Sequence, residues 1–543
     1  MSTALLDRPA RGRRLPVLGG NRRIDPRRVA PTLVAAAFAV AYVLVSPPSL
    51  DLAAHLLRAK LFSSEGFGIW NNWWYGGHHV PGYSVLFPPI AAALTPQVAA
   101  GLAACGSAAL FEILARDQFG EDAWVGALWF GAGTATNLFT GRLTFAFGLL
   151  PAIASALFLS RRRTGWAVTF GVITALASPV AALFAALAAA AVAIGRFASE
   201  RRLRAVVPGG LVVIGALAPV ALLSVAFPEG GSEPFTWTTL WPIPAIALVA
   251  LAVIPKRHVT LLAGIALYAL GCIAAFKIAT PVGSNAARLG PLLAGPIVAL
   301  VWYPRHKAWL ALLALPLLYF QWQAPIRDVR TSAGDPSVKI SYYGPLLKFL
   351  EAQHGPPFRV EIPFTRFHWE AYEVAPRFPL ARGWERQLDI RYNSLFYNGT
   401  LTAATYHAWL HKMAVRYVAV SDADLDYSAH EETALIDRGL PYLRLVFRSA
   451  HWHVYAVDRP SPIAQGAATL QKLGPNSLTL RATRPGVVRL RVRFTPYWAL
   501  SGDPGCVIDK GGFTELQLRR PGTFKLVTQF SLGRIGATSP RCG

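Results

Sequence analysis

The chain has 543 residues, of which 53% are hydrophobic and 15% are charged, and its formal net charge is +24. Repeated apolar runs long enough to cross about 30 Å of hydrocarbon exclude a soluble globular protein and predict a polytopic α-helical membrane protein. The basic residues lie in short clusters between these runs, as in cytoplasmic loops that face anionic lipid, so the predicted partner is the lipid bilayer and not nucleic acid.

The amino terminus, residues 1–29, is a basic tail that precedes a first apolar run from Ala30 to Ser46. No small-x-small cleavage site ends this run, and Pro47 and Pro48 follow it directly. We therefore predict an uncleaved first membrane helix with a cytoplasmic N-terminus, which makes the first loop, residues 49–96, external.

The first loop opens with an acid, a histidine and an arginine next to the membrane. If the residues after Pro48 are helical, Asp51, His55 and Arg58 lie at i, i+4 and i+7 and share one helix face. The loop continues from Trp70 as WNNWWYGGHHVPGYS, before an apolar segment that contains prolines.

The later basic clusters test every further span, because short cytoplasmic loops should hold the Lys and Arg residues. Together with the first helix, ten further helices satisfy them, so that residues 30–324 form a transmembrane domain of about eleven helices. The segment 84–94 is left as an external or re-entrant piece. The ten predicted helices lie near 97–115, 123–139, 143–160, 166–178, 180–195, 205–227, 237–254, 259–279, 289–303 and 308–324.

Four short turns are then external: 137–144, 178–179, 228–234 and 280–290. Arg142 and Arg288 are the only Arg or Lys residues assigned to these turns. Lys and Arg are expected mainly in cytoplasmic loops, so a single arginine in an external turn is an exception. Such an arginine is a candidate anion ligand, since its planar guanidinium group suits phosphate oxygens. The alternative is an interfacial arginine that reaches the lipid headgroups.

The chain changes character after Trp322, where apolar runs shorten and prolines multiply. Residues 325–463 alternate helical and strand patterns, which predicts an external α/β domain. Residues 464–543 contain short alternating runs separated by Gly, Pro and Asn, which predicts an external β-sandwich. Cys506 and Cys542 can pair there if this region lies outside the cytoplasm.

The first-loop acid, the His and Arg that follow it, and the WNNWWYGGHHVPGYS stretch resemble the first external loop of the GT-C superfamily of polytopic glycosyltransferases. The overall plan is similar too, with many helices and an external C-terminal domain. The chain looks most like bacterial members that end in a β-sandwich, here with GWERQLD at Gly383 to Asp389 and VRYVAV at Val415 to Val420. The resemblance implies a GT-C-like fold in a bacterial plasma membrane and a polyprenyl-phosphate sugar donor.

In that superfamily the first-loop acid is a catalytic base or positions the substrate, and Asp51 is the matching position. Inverting transfer needs a base for the acceptor hydroxyl and cations for the departing phosphate. The resemblance thus predicts Asp51 as the base, with His55 orienting it, sharing its proton or only bridging polar groups. Arg58, Arg142 or Arg288 would bind the donor phosphate. The predicted substrate-binding residues are Trp70, Trp73, Tyr75, His78, His79, Tyr83 and Asn285, with an interfacial aromatic belt as the alternative for the aromatic ones.

Metal-dependent members usually carry a second acidic motif in a later external loop. Here the later loops of the membrane domain offer only Glu229 and Glu233, without an Asp-x-Asp or Glu-x-Asp spacing. Hard cations need several oxygen ligands, so the sequence predicts no cofactor and no metal ligands, with a divalent metal as the disfavoured alternative.

The predicted function is transfer of a sugar to an envelope glycan, lipid or protein at the external membrane face. One alternative is a transporter or flippase of a lipid-linked substrate, with Arg142 and Arg288 as ligands. No clear internal repeat supports it, and the polar groups concentrate outside the spans instead of mid-membrane. A second alternative is a non-catalytic protein of envelope assembly that binds glycan through the C-terminal region.

Overall fold

The computed structural model describes residues 25–502 and 505–542. Most of the predicted basic tail, residues 1–24, therefore lies outside the described residues. The described chain forms an N-terminal helical region and a C-terminal region that contains three β-sheets. A polytopic helical membrane region followed by an α/β unit and a β-sandwich is the predicted fold class, and it is confirmed.

Helices of the N-terminal region begin repeatedly at proline, which has no backbone N–H to leave unpaired and a fixed φ that suits the first turn. They are α1 (Pro26–Val45), α2 (Leu52–Glu65), α3 (Phe87–Leu94), α4 (Pro96–Phe119), α5 (Trp124–Phe139), α6 (Leu143–Ser160), α7 (Thr164–Ala177), α8 (Pro179–Glu200), α9 (Val207–Ala226), α10 (Trp237–Leu240), α11 (Pro242–Val253), α12 (Val259–Lys277), α13 (Leu289–Trp302) and α14 (Lys307–Ala333).

Within the described residues, eight helical segments are long and apolar enough to cross a membrane: α1, α4, α6, α8, α9, α12, α13 and α14. Helices also lie at the other three predicted spans, but α5 has 16 residues, α7 has 14, and α10 with α11 is interrupted. These are shorter than the roughly 20 residues that a perpendicular span needs, so their crossing stays a prediction. The eight-residue α3 fits the predicted external or re-entrant piece.

The turns predicted to be external contact one another at one end of the helical region. The His55 ring lies 3.1 Å from the carbonyl oxygen of Gly141, and the Ser84 hydroxyl donates to the carbonyl of Ala177 at 2.7 Å. His79 pairs with Glu229 at 2.8 Å. The first loop therefore joins the turns after α5, α7 and α9.

The basic loops predicted to be cytoplasmic likewise meet one another. Arg28 pairs with Glu121 at 3.3 Å, and Arg161 with Asp117 at 2.7 Å. The ring of Phe119 stacks on His258 with the centroids 5.9 Å apart. The predicted grouping of the loops into two faces is thus present in the fold, and α14 continues to Ala333, beyond its predicted end at 324.

The α/β domain is built on a four-stranded sheet in the order β3-β4-β6-β5, in which β3 and β4 are parallel and the other pairs antiparallel. Its helix α15 buries Tyr343, Leu346, Leu347 and Leu350, the i, i+3, i+4, i+7 pattern of an amphipathic helix. The elements are α15 (Ile340–Glu351), β3 (Arg359–Glu361), α16 (Glu370–Glu373), α17 (Arg386–Tyr392), α18 (Ala403–Lys412), β4 (Val415–Ser421), α19 (His430–Asp437), β5 (Leu443–Arg448) and β6 (Trp452–Val457).

The β-sandwich consists of a five-stranded sheet, β15-β12-β13-β10-β7, and a four-stranded sheet, β11-β14-β9-β8. Alternate residues such as Val488, Leu490 and Val492 are buried between the sheets. The strands are β7 (Ala464–Gly466), β8 (Ala468–Leu473), β9 (Ser477–Ala482), β10 (Gly486–Arg493), β11 (Trp498–Leu500), β12 (Gly505–Lys510), β13 (Phe513–Leu518), β14 (Gly522–Thr528) and β15 (Arg541–Cys542). A further hairpin, β1 (Trp70–Asn71) with β2 (His78–His79), lies in the first loop.

Cys506 and Cys542 form a disulfide that closes a 36-residue separation and joins β15 to the sheet edge. We expect the Cys506→Ser, Cys542→Ser double variant to lose about 2–4 kcal/mol of stability in oxidising buffer. The thermal unfolding midpoint of the full chain measures this loss. Reductant should lower the midpoint of the unsubstituted chain to that of the variant, and equal midpoints under oxidising conditions would contradict the expectation.

Candidate functional site

The acid of the first loop lies at the start of α2. The amide of His55 donates to the carbonyl oxygen of Asp51 at 3.2 Å, so the helix begins at the acid and the predicted shared face with Arg58 is confirmed. His55 and Arg58 are buried, whereas Asp51 keeps part of its surface exposed. Asp51 is the least buried member of this trio.

The turn between α5 and α6 lies directly against this helix start. Gly141 has a φ of +74°, and a Cβ at this position would overlap the Ser49 hydroxyl, so only glycine allows the close approach. The amide of Arg142 donates to the carbonyl oxygen of Asn137 at 2.9 Å and closes the turn. The glycine thereby brings the cation of Arg142 to the acid at Asp51.

Three arginines act electrostatically on Asp51. Burial raises the pKa of its carboxyl above the ordinary value, and the positive charges of Arg288, Arg142 and Arg58, in that order, act to lower it. Among the described residues the carboxylate has no hydrogen bond and no ion pair. It is thus an acid surrounded by cations, none of which it neutralises by contact.

The two cations predicted as anion ligands come together here. Burial and the charge of Arg288 lower the pKa of Arg142 to about 10, which leaves the Arg142 side chain charged at neutral pH. The Arg288 guanidinium lies 5.8 Å from the Phe145 ring centroid. Two neighbouring guanidinium groups that repel each other are stabilised by an anion such as a phosphate.

A second acid, Glu233, approaches from the loop after α9. Its amide donates to the carbonyl oxygen of Thr280 at 3.0 Å, and the Ser284 hydroxyl lies 3.3 Å from its carboxylate. Burial and, to a smaller extent, the charge of Asp51 raise the pKa of Glu233 to about 7, against the effects of Arg386 and Arg288. No sequence motif identifies Glu233 as part of the site, because it comes near Asp51 only when the chain folds.

His55 serves as a polar bridge. One ring nitrogen, Nε2, lies 3.1 Å from the Gly141 carbonyl, which can only accept, so Nδ1 accepts from the Thr144 hydroxyl at 3.2 Å. Burial lowers the pKa of His55 to about 3 and keeps the ring neutral. Both nitrogens are engaged, so the structure contradicts proton sharing with Asp51 and favours the bridging alternative.

Arg58 is held by the C-terminal region. Its guanidinium lies 3.6 Å from the Tyr83 ring centroid and forms a buried ion pair with Glu385 of the GWERQLD segment. The Tyr75 hydroxyl accepts from the Glu385 amide at 2.8 Å and fixes that segment. The other terminal nitrogen of Arg58, Nη1, is buried without a hydrogen-bond partner among the described residues. Sequence reasoning noted the GWERQLD segment but assigned no role to Glu385.

Most of the aromatic stretch is packed between the domains instead of lining a site. Trp70 contacts Trp498 of the β-sandwich edge to face at 5.7 Å, and the Tyr75 hydroxyl lies 2.5 Å from the carbonyl oxygen of Gly383. Trp73 is 7% exposed and belongs to the core shared by the membrane helices and the α/β domain. The predicted sugar contacts of Trp70, Trp73 and Tyr75 are therefore corrected to packing contacts.

The two adjacent histidines are also corrected to structural contacts. His78 is buried and lies 3.2 Å from Asn71 across the first-loop hairpin. His79 contacts Thr495 at 2.9 Å and pairs with Glu229. Burial acts to raise the pKa of Glu229. The hydrogen bonds and charge of His79 together outweigh it and lower this pKa to about 2.

Two predicted substrate residues remain partly exposed at the site. Tyr83 stacks on Arg58, and Asn285 lies in the turn Gly283–Arg288 that carries Arg288. No cluster of three or more His, Cys, Asp or Glu side chains that could hold a metal ion occurs in residues 25–502 and 505–542.

The charge of Arg142 should set the pH dependence of any reaction that uses Asp51 as a base. Activity would fall as the pH falls through the raised pKa of Asp51, because the protonated acid cannot accept a proton. The Arg142→Gln variant removes a charge that lowers this pKa, so the acid limb of kcat/KM should move to higher pH.

The Arg142→Lys variant keeps the charge and should keep the limb in place. Glu233→Gln is a second control, since it removes the acid whose pKa is about 7. An acid limb that does not move in Arg142→Gln, or that disappears in Glu233→Gln, would assign the titration to a group other than Asp51.

The sequence matches no family model and no curated protein. Among solved structures, the chain is similar to an archaeal oligosaccharyltransferase, AglB from Archaeoglobus fulgidus, solved in complex with an inhibitory peptide and a dolichol-phosphate. The identity is 14%, the TM-score is 0.33, and the match covers 73% of this chain and 69% of that chain.

Proposed function

We propose that this protein is a membrane glycosyltransferase that moves a sugar from a polyprenyl-phosphate donor to an envelope glycan, lipid or protein at the external face of a bacterial plasma membrane. One observation carries the proposal. The unpaired carboxylate of Asp51 lies at the start of α2, within electrostatic range of Arg142 and Arg288, which have no carboxylate partner among the described residues.

These groups suit an inverting displacement. The acceptor hydroxyl oxygen forms a bond to the anomeric carbon, the bond from that carbon to the phosphate oxygen breaks, and polyprenyl phosphate leaves as an anion. Asp51 takes the hydroxyl proton, while Arg142 and Arg288 stabilise the negative charge on the leaving phosphate. Attack opposite the leaving group inverts the anomeric centre.

The charge of Arg58 is balanced by Glu385, which fixes its position, and its unpaired Nη1 can donate a hydrogen bond to the donor phosphate. His55 acts indirectly, because it ties the turn that carries Arg142 to α2. Tyr83 and Asn285 are the proposed substrate contacts. The proposed step requires no metal ion.

The disulfide supports an external position for the β-sandwich, since disulfides persist mainly outside the reducing cytoplasm. The first loop and the turns that form the site contact the C-terminal region, so the site would face the same side.

A transfer assay tests the proposal. Purified protein in lipid is incubated with several radiolabelled polyprenyl-phosphate sugars and a crude envelope acceptor fraction. We expect label to move to the acceptor from at least one donor. Retention of label on all donors, with donor crossing between bilayer leaflets, would support the transporter alternative instead.

A further inference from the structure

A groove of about 500 Å³ lies on the α/β domain where the chain leaves it for the β-sandwich. Its walls come from the segment before β3, from β4, β5 and β6, and from residues 460–463. Pockets that bind drug-sized ligands have volumes of roughly 300–1,000 Å³. The groove is therefore large enough for a ligand and is separate from the site around Asp51.

Three residues that lie side by side on neighbouring strands form part of the groove. Tyr417 of β4 lies opposite Ala456 of β6, which in turn lies opposite Arg444 of β5. Directly opposed residues point to the same side of a sheet, so the small alanine leaves a gap between a ring and a guanidinium group. The Tyr417 hydroxyl donates to Gln353 at 3.0 Å, which holds the ring in place.

A second arginine, Arg416, is positioned beside the aromatic wall. Its guanidinium lies 5.1 Å from the Phe358 ring centroid and 5.2 Å from that of Tyr417, and it donates one hydrogen bond, at 3.1 Å, to the carbonyl oxygen of His354. This leaves further N–H groups of Arg416 for a ligand.

The groove has no acid to balance these charges. None of its lining residues is Asp or Glu, and within the described residues neither Arg416 nor Arg444 forms an ion pair. Other arginines of the same domain pair with carboxylates, among them Arg366, Arg377, Arg382 and Arg386, whereas the exposed Arg438 has no such partner in the described chain. Two unbalanced guanidinium groups beside a flat apolar wall are suited to a ring that carries a negative charge.

We propose that this groove binds an acidic saccharide, with the carboxylate or phosphate of the sugar bound by Arg416 and Arg444 and the sugar ring beside the partly exposed Phe358. The site needs no transfer chemistry, so it does not depend on the role of Asp51. It would hold an acidic glycan on the protein independently of the membrane-side site.

Isothermal titration of the full chain in lipid nanodiscs with tetragalacturonate tests the proposal, with maltotetraose as a neutral tetrasaccharide and inorganic phosphate as the bare anion. We expect tetragalacturonate to bind more tightly than either comparison ligand. The Arg444→Gln variant should weaken its binding about tenfold, the loss expected for one charge-assisted contact. The Asp51→Asn variant should bind it unchanged.

Arg438→Gln is the matched control, because Arg438 is an exposed arginine of the same domain that does not line the groove. Equal weakening by Arg438→Gln and Arg444→Gln would reduce the effect to net charge and overturn the proposal. So would binding of maltotetraose or inorganic phosphate as tight as that of tetragalacturonate. The test uses the Arg444 variant because Arg416 packs against Phe358 and Tyr417, and its replacement would alter the groove itself.

Discussion

The Asp51→Asn variant should lose sugar transfer by roughly 10²–10⁴-fold, the usual contribution of a positioned general base. Asparagine keeps the size of the side chain but cannot accept the acceptor proton. The carboxylate of Asp51 has no hydrogen bond or ion pair in the described chain, so its replacement should leave the fold intact. Initial rates of label transfer at equal protein abundance measure the loss.

Asp328→Asn is the matched control for that experiment. Asp328 lies close enough to affect Asp51 electrostatically, but its own partner is Arg327, at 3.0 Å. The control makes the same change of charge near the same site and should retain most of the transfer activity. Equal losses in the two variants would make net charge the cause and would remove Asp51 as the base.

The Glu385→Ala variant should cost about 3–5 kcal/mol of stability, because it leaves the Arg58 guanidinium buried without its partner. The environment cannot relax easily. A Cβ at Gly383, two residues away, would overlap the Trp74 ring, and the amide of Glu385 is held by the Tyr75 hydroxyl at 2.8 Å. The thermal unfolding midpoint and the rate of transfer should both fall.

Exchanging the two charges separates the contribution of this ion pair to unfolding stability from its contribution to sugar transfer. The Arg58→Glu, Glu385→Arg double variant restores a pair of opposite charges but moves the negative charge to the Asp51 side. We expect it to recover unfolding stability relative to Glu385→Ala without recovering transfer. Recovery of both would mean that Arg58 only joins the domains, and recovery of neither would mean that the local packing does not accept the exchange.

The architecture could be predicted from the sequence because it depends on patterns that act locally. Apolar runs between basic clusters locate the helices, and the alternating runs from Ser477 to Ala482 and from Val487 to Phe494 locate strands that the structure places within one residue. Length could not decide whether short helices such as α5 and α7 cross the membrane.

The site could be predicted in part. The exceptions to the positive-inside pattern pointed to Arg142 and Arg288, and both act on Asp51 in the folded chain. The roles of Glu233 and Glu385 depend on contacts between segments distant in sequence, which no local pattern encodes.

The aromatic stretch misled the prediction for a related reason. Tryptophan and tyrosine suit a sugar surface, a membrane interface and a packed domain junction equally well, because large amphipathic rings are stabilised in all three environments. The packing of Trp70 against Trp498 decides between these environments and requires the β-sandwich to be in place.

The position of the donor phosphate tests the central claim most directly. A structure of the Asp51→Asn variant with bound polyprenyl-phosphate sugar would show it, because this variant should hold the donor without completing the reaction. The proposal predicts phosphate oxygens within hydrogen-bonding distance of Arg142 and Arg288, with the anomeric carbon between the phosphate and Asn at position 51. A donor phosphate bound away from both arginines would contradict it.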